Sequence, residues 1–177
     1  MLSDIIYNHL VKYYDDTYED IIILCIGTDR STGDCLGPLI GYKLSYIPRI
    51  YTNVHVLGTL EAPVHAKNLE ENIRNIYSSY KNPFVIAIDA CLGKLERVGH
   101  INVAKGSLKP GSGVNKDLPK VGDIHITGVV NIGGFMEYMV LQNTRLSTVM
   151  KMADIISSGF ITSFWKLFKQ KEKLTTT

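Results

Sequence analysis

Apolar residues follow two kinds of pattern along the first half of the chain, and each kind predicts one type of element. "IIYNHLVKYY", "PLIGYKLSYIP" and "VHAKNLEENIRNIYSSY" have apolar residues at helical spacing and predict three helices, the second ending before Pro48. "IIILCIG", "NVHVLG" and "PFVIAID" are short and β-rich, and they predict strands. The first and third are apolar almost throughout, which is typical of strands buried on both faces of a parallel sheet.

The second half continues the alternation of strands and helices. "VGHINVAKG" alternates as an outer strand does, and "IHITGVVNIGG" is a strand that leads into a turn. "FMEYMVLQNT" and "RLSTVMKMADIISSGFITSFWKLF" predict two more helices. Between the two strands lies "SLKPGSGVNKDLPKVGD", whose Gly, Pro, Ser and Lys predict a long, mobile loop.

The order β-α-β-α-β predicts an α/β fold with right-handed crossovers. We expect three layers, α-β-α, around an open, mostly parallel central sheet of about five strands, as in phosphorylase- and hydrolase-like folds. No linker or repeat divides the 177 residues, so residues 1–177 are expected to form one domain. Residues 170–177 are expected to be a frayed tail.

Composition and charge exclude several classes of protein. A net charge of +2 is too small to indicate nucleic-acid binding. No uncharged run approaches the ~18 residues of a membrane-spanning helix, and Asp4 stands where a signal peptide needs positive charge. The three cysteines are odd in number and lack paired metal-ligand spacing, which suits a reducing compartment. We expect a soluble, cytoplasmic protein with no nucleic-acid or membrane partner.

Two acids stand at the carboxyl ends of predicted strands, where open α/β sheets bind their ligands. Asp89 ends "FVIAID", and Asp34 lies in the loop after "IIILCIG". If the strand order begins 2-1-3, both carboxylates face one crevice, where such a pair can share a proton, activate water or bind a cation. Either acid could instead cap a helix or turn. For Asp34, Gly37-Pro38 suits a helix start and would leave this acid in the loop before it.

Other interpretations of this loop have less support. Asp29 in "TDRST" is more typical of a turn former, and Arg30 beside it of a local ion pair. The glycines lack the G-x-G-x-x-G spacing of a dinucleotide site, and no Gly-Lys-Ser/Thr phosphate loop is present. The chain also lacks the G-x-S-x-G turn of a serine hydrolase.

Four stretches resemble a known family. "GTDRSTGDCLGP", "GTLEAPVHAKNL", "IAIDACLG" and "GVVNIGGFMEYMVLQNTRL" are similar to the YyaC-type sporulation proteins of endospore-forming bacteria. That family is related to the spore germination protease and, more remotely, to the hydrogenase maturation endopeptidases. The resemblance to YyaC-type proteins covers nearly the whole chain, whereas the resemblance to the two protease families is confined to the sheet and its strand-end acids. It implies a protein of the sporulating cell or spore.

The resemblance to the germination protease assigns roles to the two acids. In that protease a loop ending in Asp-Ala-Leu-Gly-Pro and a strand ending in Ile-Asp-Ala carry two aspartates implicated in peptide hydrolysis. "GDCLGP" and "IDACLG" match them, so the implied catalytic residues are Asp34 and Asp89. A protein or peptide substrate is implied as the partner.

Other residues are expected near the same crevice. The hydrogenase endopeptidases add a later histidine to the two acids and bind a metal, so that resemblance implies a divalent-metal site of Asp34, Asp89 and His125; otherwise no cofactor is expected. Glu61 and His65 follow the second strand, and His65 would lie in the first turn of a helix that begins near Pro63. Asp29 is a further possible neighbour.

For four further residues the resemblance implies no catalytic role. Cys35 and Cys91 flank the two acids and are expected to be buried as small hydrophobic residues. Asn131 and Glu137 belong to the family-like C-terminal motif, and their role is open.

These observations leave three hypotheses. The first is a peptidase of sporulation or germination that uses the two aspartates as an acid/base pair around a water. The second is a non-catalytic protein of protease-like fold that binds a peptide or partner, since a fold does not determine function. The third is a metal-dependent maturation endopeptidase. A homo-oligomer is compatible with all three.

Overall fold

The computed structural model describes residues 1–111 and 118–175, with side chains described through residue 170. Within these ranges an α/β arrangement is formed by five helices and five strands. The helices are α1 (Leu2–Tyr13), α2 (Leu36–Leu44), α3 (Leu69–Ser79), α4 (Glu137–Gln142) and α5 (Leu146–Thr175). The strands are β1 (Ile21–Cys25), β2 (Val54–Leu57), β3 (Phe84–Gly93), β4 (Ile101–Lys105) and β5 (Ile124–Ile132).

The strands form one mixed, mostly parallel sheet in the order β2-β1-β3-β5-β4. Strands β2, β1, β3 and β5 are parallel, and β4 runs antiparallel to β5 at the edge. The expected beginning 2-1-3 is therefore confirmed, as is the outer position of "VGHINVAKG". Because β1 and β3 are neighbours, the chain leaves both strands at the same edge of the sheet.

Helices cover both faces of the sheet, which gives the three predicted layers. The larger core lies between one face and helices α1, α2 and α5, where Ile23, Ile86 and Ile126 meet Phe160 and Phe164. On the opposite face Ile22, Leu24 and Ala87 pack with Leu69 and Ile76 of α3. Every residue of β1 is buried, because β1 lies between two strands and beneath both helical layers.

Helix α3 begins at Leu69, later than the expected start near Pro63. The residues before it form a short parallel bridge, Val64 with Ile26, that extends the sheet beyond β2. The Asn68 side chain then closes a turn by accepting the His65 N–H at 2.8 Å. The stretch "VHAKNL" therefore forms a sheet bridge and a turn, and not the first turns of a helix as the sequence predicted.

Two further regions bear on the sequence predictions. The predicted mobile loop includes an antiparallel bridge between Leu108 and Val121, whose backbone groups exchange two hydrogen bonds of 3.0 Å; the middle of the loop, residues 112–117, lies outside the described residues. Helix α5 continues to Thr175, so the last two residues of the predicted frayed tail also lie outside them. No helix in the described part of the chain has the length and apolar character needed to cross a membrane.

Candidate active site

Asp34 lies in a single 3-10 turn, Gly33–Cys35, that leads directly into α2. The loop before this turn folds back on itself, since the Thr28 N–H donates to the Asp34 carbonyl at 3.1 Å. Gly27 makes this possible: its φ is +148°, and a Cβ there would lie 2.0 Å from the Asp34 carbonyl oxygen. No side chain caps α2, so Asp34 is not its N-cap.

Asp89 lies on β3 immediately beyond the last residue that pairs with β1. Cys25 is opposite Ile88, and Asp89 is opposite Thr127 on the other side, in β5. Its carboxyl accepts the Ala90 N–H at 2.9 Å and a further N–H from Gly111. The residue lies deep in the protein, yet part of its surface still reaches water.

The two carboxyl groups are close enough to influence each other's protonation. Burial and, next, the negative charge of Asp34 together raise the pKa of Asp89 to about 8, against the two backbone N–H groups that lower it. Burial also raises the pKa of Asp34. Because Asp89 titrates near 8, the pair holds a proton at neutral pH and behaves as one coupled unit.

Ser31 lies beside Asp34 without forming a regular hydrogen bond to it. The hydroxyl is buried and makes no hydrogen bond of standard geometry, yet it is near enough to lower the pKa of Asp34 in part. A buried hydroxyl without a regular partner is uncommon. Ser31 is therefore a buried polar neighbour of Asp34.

Two cysteines flank the aspartates, and neither is an activated nucleophile. Burial first, and then the charges of Asp29 and Asp34, raise the pKa of the Cys35 thiol. Burial and Asp89 raise that of Cys91, whereas the Thr127 hydroxyl lowers it. Both thiols thus stay protonated at neutral pH, and the thiolate is the reactive form. Cys35 is buried as expected, but Cys91 is half-buried, so that expectation was wrong for Cys91.

Asp29 does not shift the pKa of Asp34 or Asp89, although its charge raises that of Cys35. It is exposed, and within the described residues it makes no hydrogen bond or ion pair, so the expected pair with Arg30 is not formed. The side chain that stabilises this turn is Thr28, whose hydroxyl accepts the Arg30 N–H at 3.3 Å. The turn is where the sequence predicts it, but the turn-forming side chain is one residue earlier.

Glu61 and His65 lie in the segment between β2 and α3. Glu61 is exposed. His65 precedes α3 instead of lying in its first turn, and its Nδ1 accepts the Lys67 N–H at 3.3 Å. Neither side chain is among the groups that shift the pKa of Asp34 or Asp89. The local bonds of His65 support a structural role.

His125 is on β5, opposite Ala87 and two residues before Thr127. Its Nδ1 is 2.7 Å from the Gly106 carbonyl oxygen, so this nitrogen carries the proton and the ring is tied to the loop after β4. Among the described residues no three His, Cys, Asp or Glu side chains are grouped so that they could hold a metal ion. Asp34, Asp89 and His125 therefore do not form a ready metal centre.

Asn131 and Glu137, whose roles were open, stabilise the connection between β5 and α4. Asn131 donates to the Thr144 hydroxyl at 3.2 Å and to the Val140 carbonyl at 3.4 Å. The Glu137 carboxylate accepts the Gly134 N–H at 3.1 Å. These bonds hold α4 against the end of β5.

Helix α4 in turn supports the turn that carries Asp34. Leu141 is buried against Gly33, where an added Cβ would lie 2.7 Å from a Leu141 methyl carbon. Gly33 is thus required for the close contact between α4 and the 3-10 turn. The C-terminal motif acts on the site by positioning Asp34.

Sequence patterns missed Ser31 and Thr127 as neighbours of the two acids. Thr127 could have been found from the alternation of "IHITGVVNIGG", but only with the knowledge that β5 is next to β3. The position of Ser31 beside Asp34 could not be predicted from the sequence, because it depends on how the loop folds back at Gly27.

The comparisons with known proteins agree with the geometry. A family model described as "Protein of unknown function (DUF1256)" matches residues 1–159. The chain belongs to this family. It is 58% identical over 139 residues to the uncharacterized protein YyaC of Bacillus subtilis (strain 168), a match that covers 78% of this chain and 67% of YyaC. The expected membership among YyaC-type proteins is confirmed.

A solved structure shares the fold of this DUF1256 chain. The [NiFe] hydrogenase maturation protease HycI from Thermococcus kodakarensis KOD1 is similar with a TM-score of 0.54, covering 88% of this chain and 97% of HycI. The sequence identity is 14%, so this likeness shows a HycI-like fold and nothing about activity.

Proposed function

We propose that this protein is a peptidase that hydrolyses a peptide bond with Asp34 and Asp89. The observation that carries the proposal is the pair of coupled carboxyl groups at the carboxyl ends of β1 and β3, one of which stays protonated up to a pH of about 8. A buried pair of this kind can supply both a base and an acid at neutral pH.

The unequal surroundings of the two aspartates support different roles for them in the proposed reaction. Asp34 ionises first, and its carboxylate takes a proton from a water molecule as the water oxygen bonds to the peptide carbonyl carbon. Asp89, protonated, donates a hydrogen bond and then its proton to the carbonyl oxygen. When the C–N bond breaks, the proton held by Asp34 passes to the leaving amine, and Asp89 recovers its proton from the collapsing gem-diol, which restores the starting state.

Two observations support a peptidase of sporulation or germination. "GDCLGP" and "IDACLG" resemble the aspartate motifs of the spore germination protease. The fold is similar to that of a protein described as a maturation protease, which supports the proposal at the level of the fold.

The test is cleavage of spore small acid-soluble proteins by the purified protein between pH 5 and 9. We expect cleavage by the parent and at least about a hundredfold loss in Asp34→Asn and Asp89→Asn, because each removes one proton-transfer group. Asp29→Asn is the matched control, since Asp29 is an exposed carboxylate of the same loop, and it should retain parent activity. An inactive parent at every pH, or active Asp34→Asn and Asp89→Asn, would contradict the proposal.

A non-catalytic binding protein is the second candidate. It is favoured by the lack of a free third catalytic group, since His65 and His125 each use Nδ1 in a hydrogen bond with the backbone. Pull-down from sporulating cells distinguishes the two functions. A stoichiometric partner retained equally by the parent and by the Asp34→Asn, Asp89→Asn double variant supports binding.

A metal-dependent maturation endopeptidase is the third candidate, and His125 is the ligand that would have to complete it. Elemental analysis of protein purified without chelator tests it directly. Nickel or zinc at one equivalent, lost in His125→Asn, would favour this candidate over the metal-free mechanism.

A further inference from the structure

A pocket of about 400 Å³ lies at the opposite edge of the sheet from Asp34 and Asp89. All but one of its lining residues directly precede β1, β3 or β5, at the amino ends of these parallel strands, and the exception is near the end of α3. The pocket is therefore separate from the two aspartates, which lie at the carboxyl ends of β1 and β3. The lining residues are Thr17, Tyr18, Tyr77, Asn82, Pro83 and Asp123.

Asp123 presents a carboxylate to this pocket from a fixed position. Its Oδ2 accepts the Val85 N–H at 2.8 Å, and its own N–H donates to the Val85 carbonyl at 2.8 Å. The Gly106 N–H donates to the Asp123 carbonyl at 2.7 Å. The other carboxylate oxygen, Oδ1, accepts no hydrogen bond from residues 1–111 or 118–170. One oxygen thus stabilises the start of β3, and the second is available to a ligand.

The charge of Asp123 is not balanced by a cation of the described chain. Burial raises the pKa of Asp123, and the Val85 N–H lowers it only in part. No lysine or arginine is among the groups that shift this pKa, and the ion pairs of the described residues do not include Asp123. Removing a carboxylate from water without a cationic partner is unfavourable. A cation that enters the pocket would supply that partner.

Two tyrosine side chains lie beside Asp123. Burial first, and then the charge of Asp123, raises the pKa of both Tyr18 and Tyr77, so the three groups are within electrostatic reach of one another. The Tyr18 ring is held by an edge contact with Phe84, with ring centroids 5.0 Å apart. Tyr77 is 56% exposed, so its ring is accessible from solvent. Aromatic rings attract organic cations, and an adjacent carboxylate adds to that attraction.

The chain around the pocket is acidic as well. The stretch "DDTYED", residues 15–20, contains four acids and no lysine or arginine. His55 pairs with Asp20 at 3.0 Å, and the exposed Lys81 pairs with Glu19 at 3.7 Å. Neither of these basic residues lines the pocket. The surroundings therefore attract a cation and repel an anion.

The lining favours a guanidinium group over an ammonium group. A guanidinium is planar and stacks on aromatic rings, and its five N–H donors can reach several acceptors at once. The pocket offers such acceptors in Oδ1 of Asp123, the two phenol oxygens and the side-chain carbonyl of Asn82. Free arginine would also bring a carboxylate into these acidic surroundings, whereas an arginine within a peptide would not.

We propose that this pocket binds the guanidinium group of an arginine in a peptide segment of a partner protein, paired with Asp123 and stacked on the rings of Tyr18 and Tyr77. The site uses neither Asp34 nor Asp89, and it does not rest on the proposed peptidase function. It gives the protein a second binding site at the edge of the sheet opposite the two aspartates.

The experiment is an NMR titration of the full chain with Nα-acetyl-arginine methylamide, which mimics an arginine within a peptide. The citrulline analogue is the reference, because it has nearly the same shape and no charge. We expect at least about tenfold tighter binding of the arginine compound, with shifts of the Tyr18 and Asn82 amide signals. Equal binding of the two compounds, or binding of neither, would overturn the inference.

Variants test the assigned contacts. Asp123→Asn should weaken binding of the arginine compound at least about tenfold, and Tyr77→Ala about threefold. Asp16→Asn removes an exposed acid of the adjacent loop and Tyr42→Ala an exposed tyrosine elsewhere, and both controls should bind within about twofold of the parent. Urea unfolding checks that Asp123→Asn is folded. Unchanged binding in Tyr77→Ala, whose side chain is exposed, would overturn the inference even if Asp123→Asn does not fold.

Other occupants give different results. Equal affinity for the matching lysine compound would overturn the guanidinium as the recognised group. Free L-arginine that binds as tightly as the blocked compound would overturn a peptide as its source. A parent that is dimeric by light scattering, and that Asp123→Asn makes monomeric, would overturn a separate partner and assign the arginine to a second copy of this chain.

Discussion

The perturbation that tests the site most directly is Asp89→Asn, because the structure gives this residue an unusual protonation. In the folded protein Asp89 keeps its proton up to a pH of about 8, whereas in the unfolded chain it loses the proton near the ordinary aspartate pKa of 3.8. Between these values the folded state binds more protons than the unfolded state. The free energy of unfolding must therefore fall as the pH rises from about 4 to about 8.

The size of the effect can be calculated from the two pKa values. One unit of pKa shift corresponds to about 1.4 kcal/mol, so the contribution of Asp89 falls by about 4 kcal/mol between pH 5 and pH 9. This is a large part of the stability of a typical domain, about 5–15 kcal/mol. Asparagine resembles the protonated aspartate in shape and does not ionise, so Asp89→Asn should remove most of this pH dependence.

Urea unfolding followed by circular dichroism at pH 5, 7 and 9 measures the effect. For each protein, the unfolding free energy at pH 9 is subtracted from that at pH 5. The value for Asp89→Asn is then subtracted from the value for the parent, which cancels the other titrating groups because both proteins contain them. Asp29→Asn is the control, because Asp29 is exposed and its removal should leave the parent slope unchanged. Equal slopes in the parent and Asp89→Asn would refute a buried, protonated Asp89.

Three further predictions concern activity, packing and metal. The rate of peptide cleavage should decrease above a pH of about 8, as Asp89 loses the proton it must donate; a pH–rate profile of the parent that is flat to pH 10 would contradict this. Gly37→Ala should lower the unfolding free energy by about 3 kcal/mol, since its Cβ would lie 2.1 Å from the Ile26 carbonyl oxygen. Gly159→Ala should be nearly neutral in urea unfolding, since its nearest contact is the end of the Ile6 side chain at 3.1 Å and the Leu2 atoms lie at 3.6 Å. Equilibrium dialysis with zinc should give the same binding for the parent and His125→Asn, because Nδ1 of His125 is bonded to Gly106 and no ligand cluster surrounds it in the described ranges.

The fold could be predicted from sequence because hydrophobic burial produces a clear pattern in this chain. A strand buried on both faces must be apolar at every position, and β1 is. The same reasoning predicts the crevice, since the parallel neighbours β1 and β3 bring their carboxyl ends, and the loops after them, to one edge of the sheet. The positions of Asp34 and Asp89 after β1 and at the exposed end of β3 are therefore sufficient to predict that the two acids lie near each other.

Contacts that depend on side-chain hydrogen bonds could not be predicted in this way. In "TDRST" both Thr28 and Asp29 can form the turn, and only the folded geometry selects Thr28. The start of α3 was predicted too early because the apolar Val64 pairs with Ile26 in the sheet. An apolar residue such as Val64 can be buried equally well in a sheet or on a helix face. Its residue type therefore does not show which element it belongs to.

The protonation of the pair favours proton transfer over simple capture of a cation. A cation binds most strongly between two ionised carboxylates. Hydrogen bonds from N–H groups stabilise an ionised carboxylate and thereby lower its pKa. Here Asp89 accepts two backbone N–H groups, yet burial and Asp34 still hold its pKa near 8. At neutral pH Asp89 therefore keeps its proton, which leaves one carboxylic acid beside the carboxyl group of Asp34. An acid beside a carboxylate is an arrangement that can activate a water molecule between them, and for this reason the proposal places hydrolysis before cation binding.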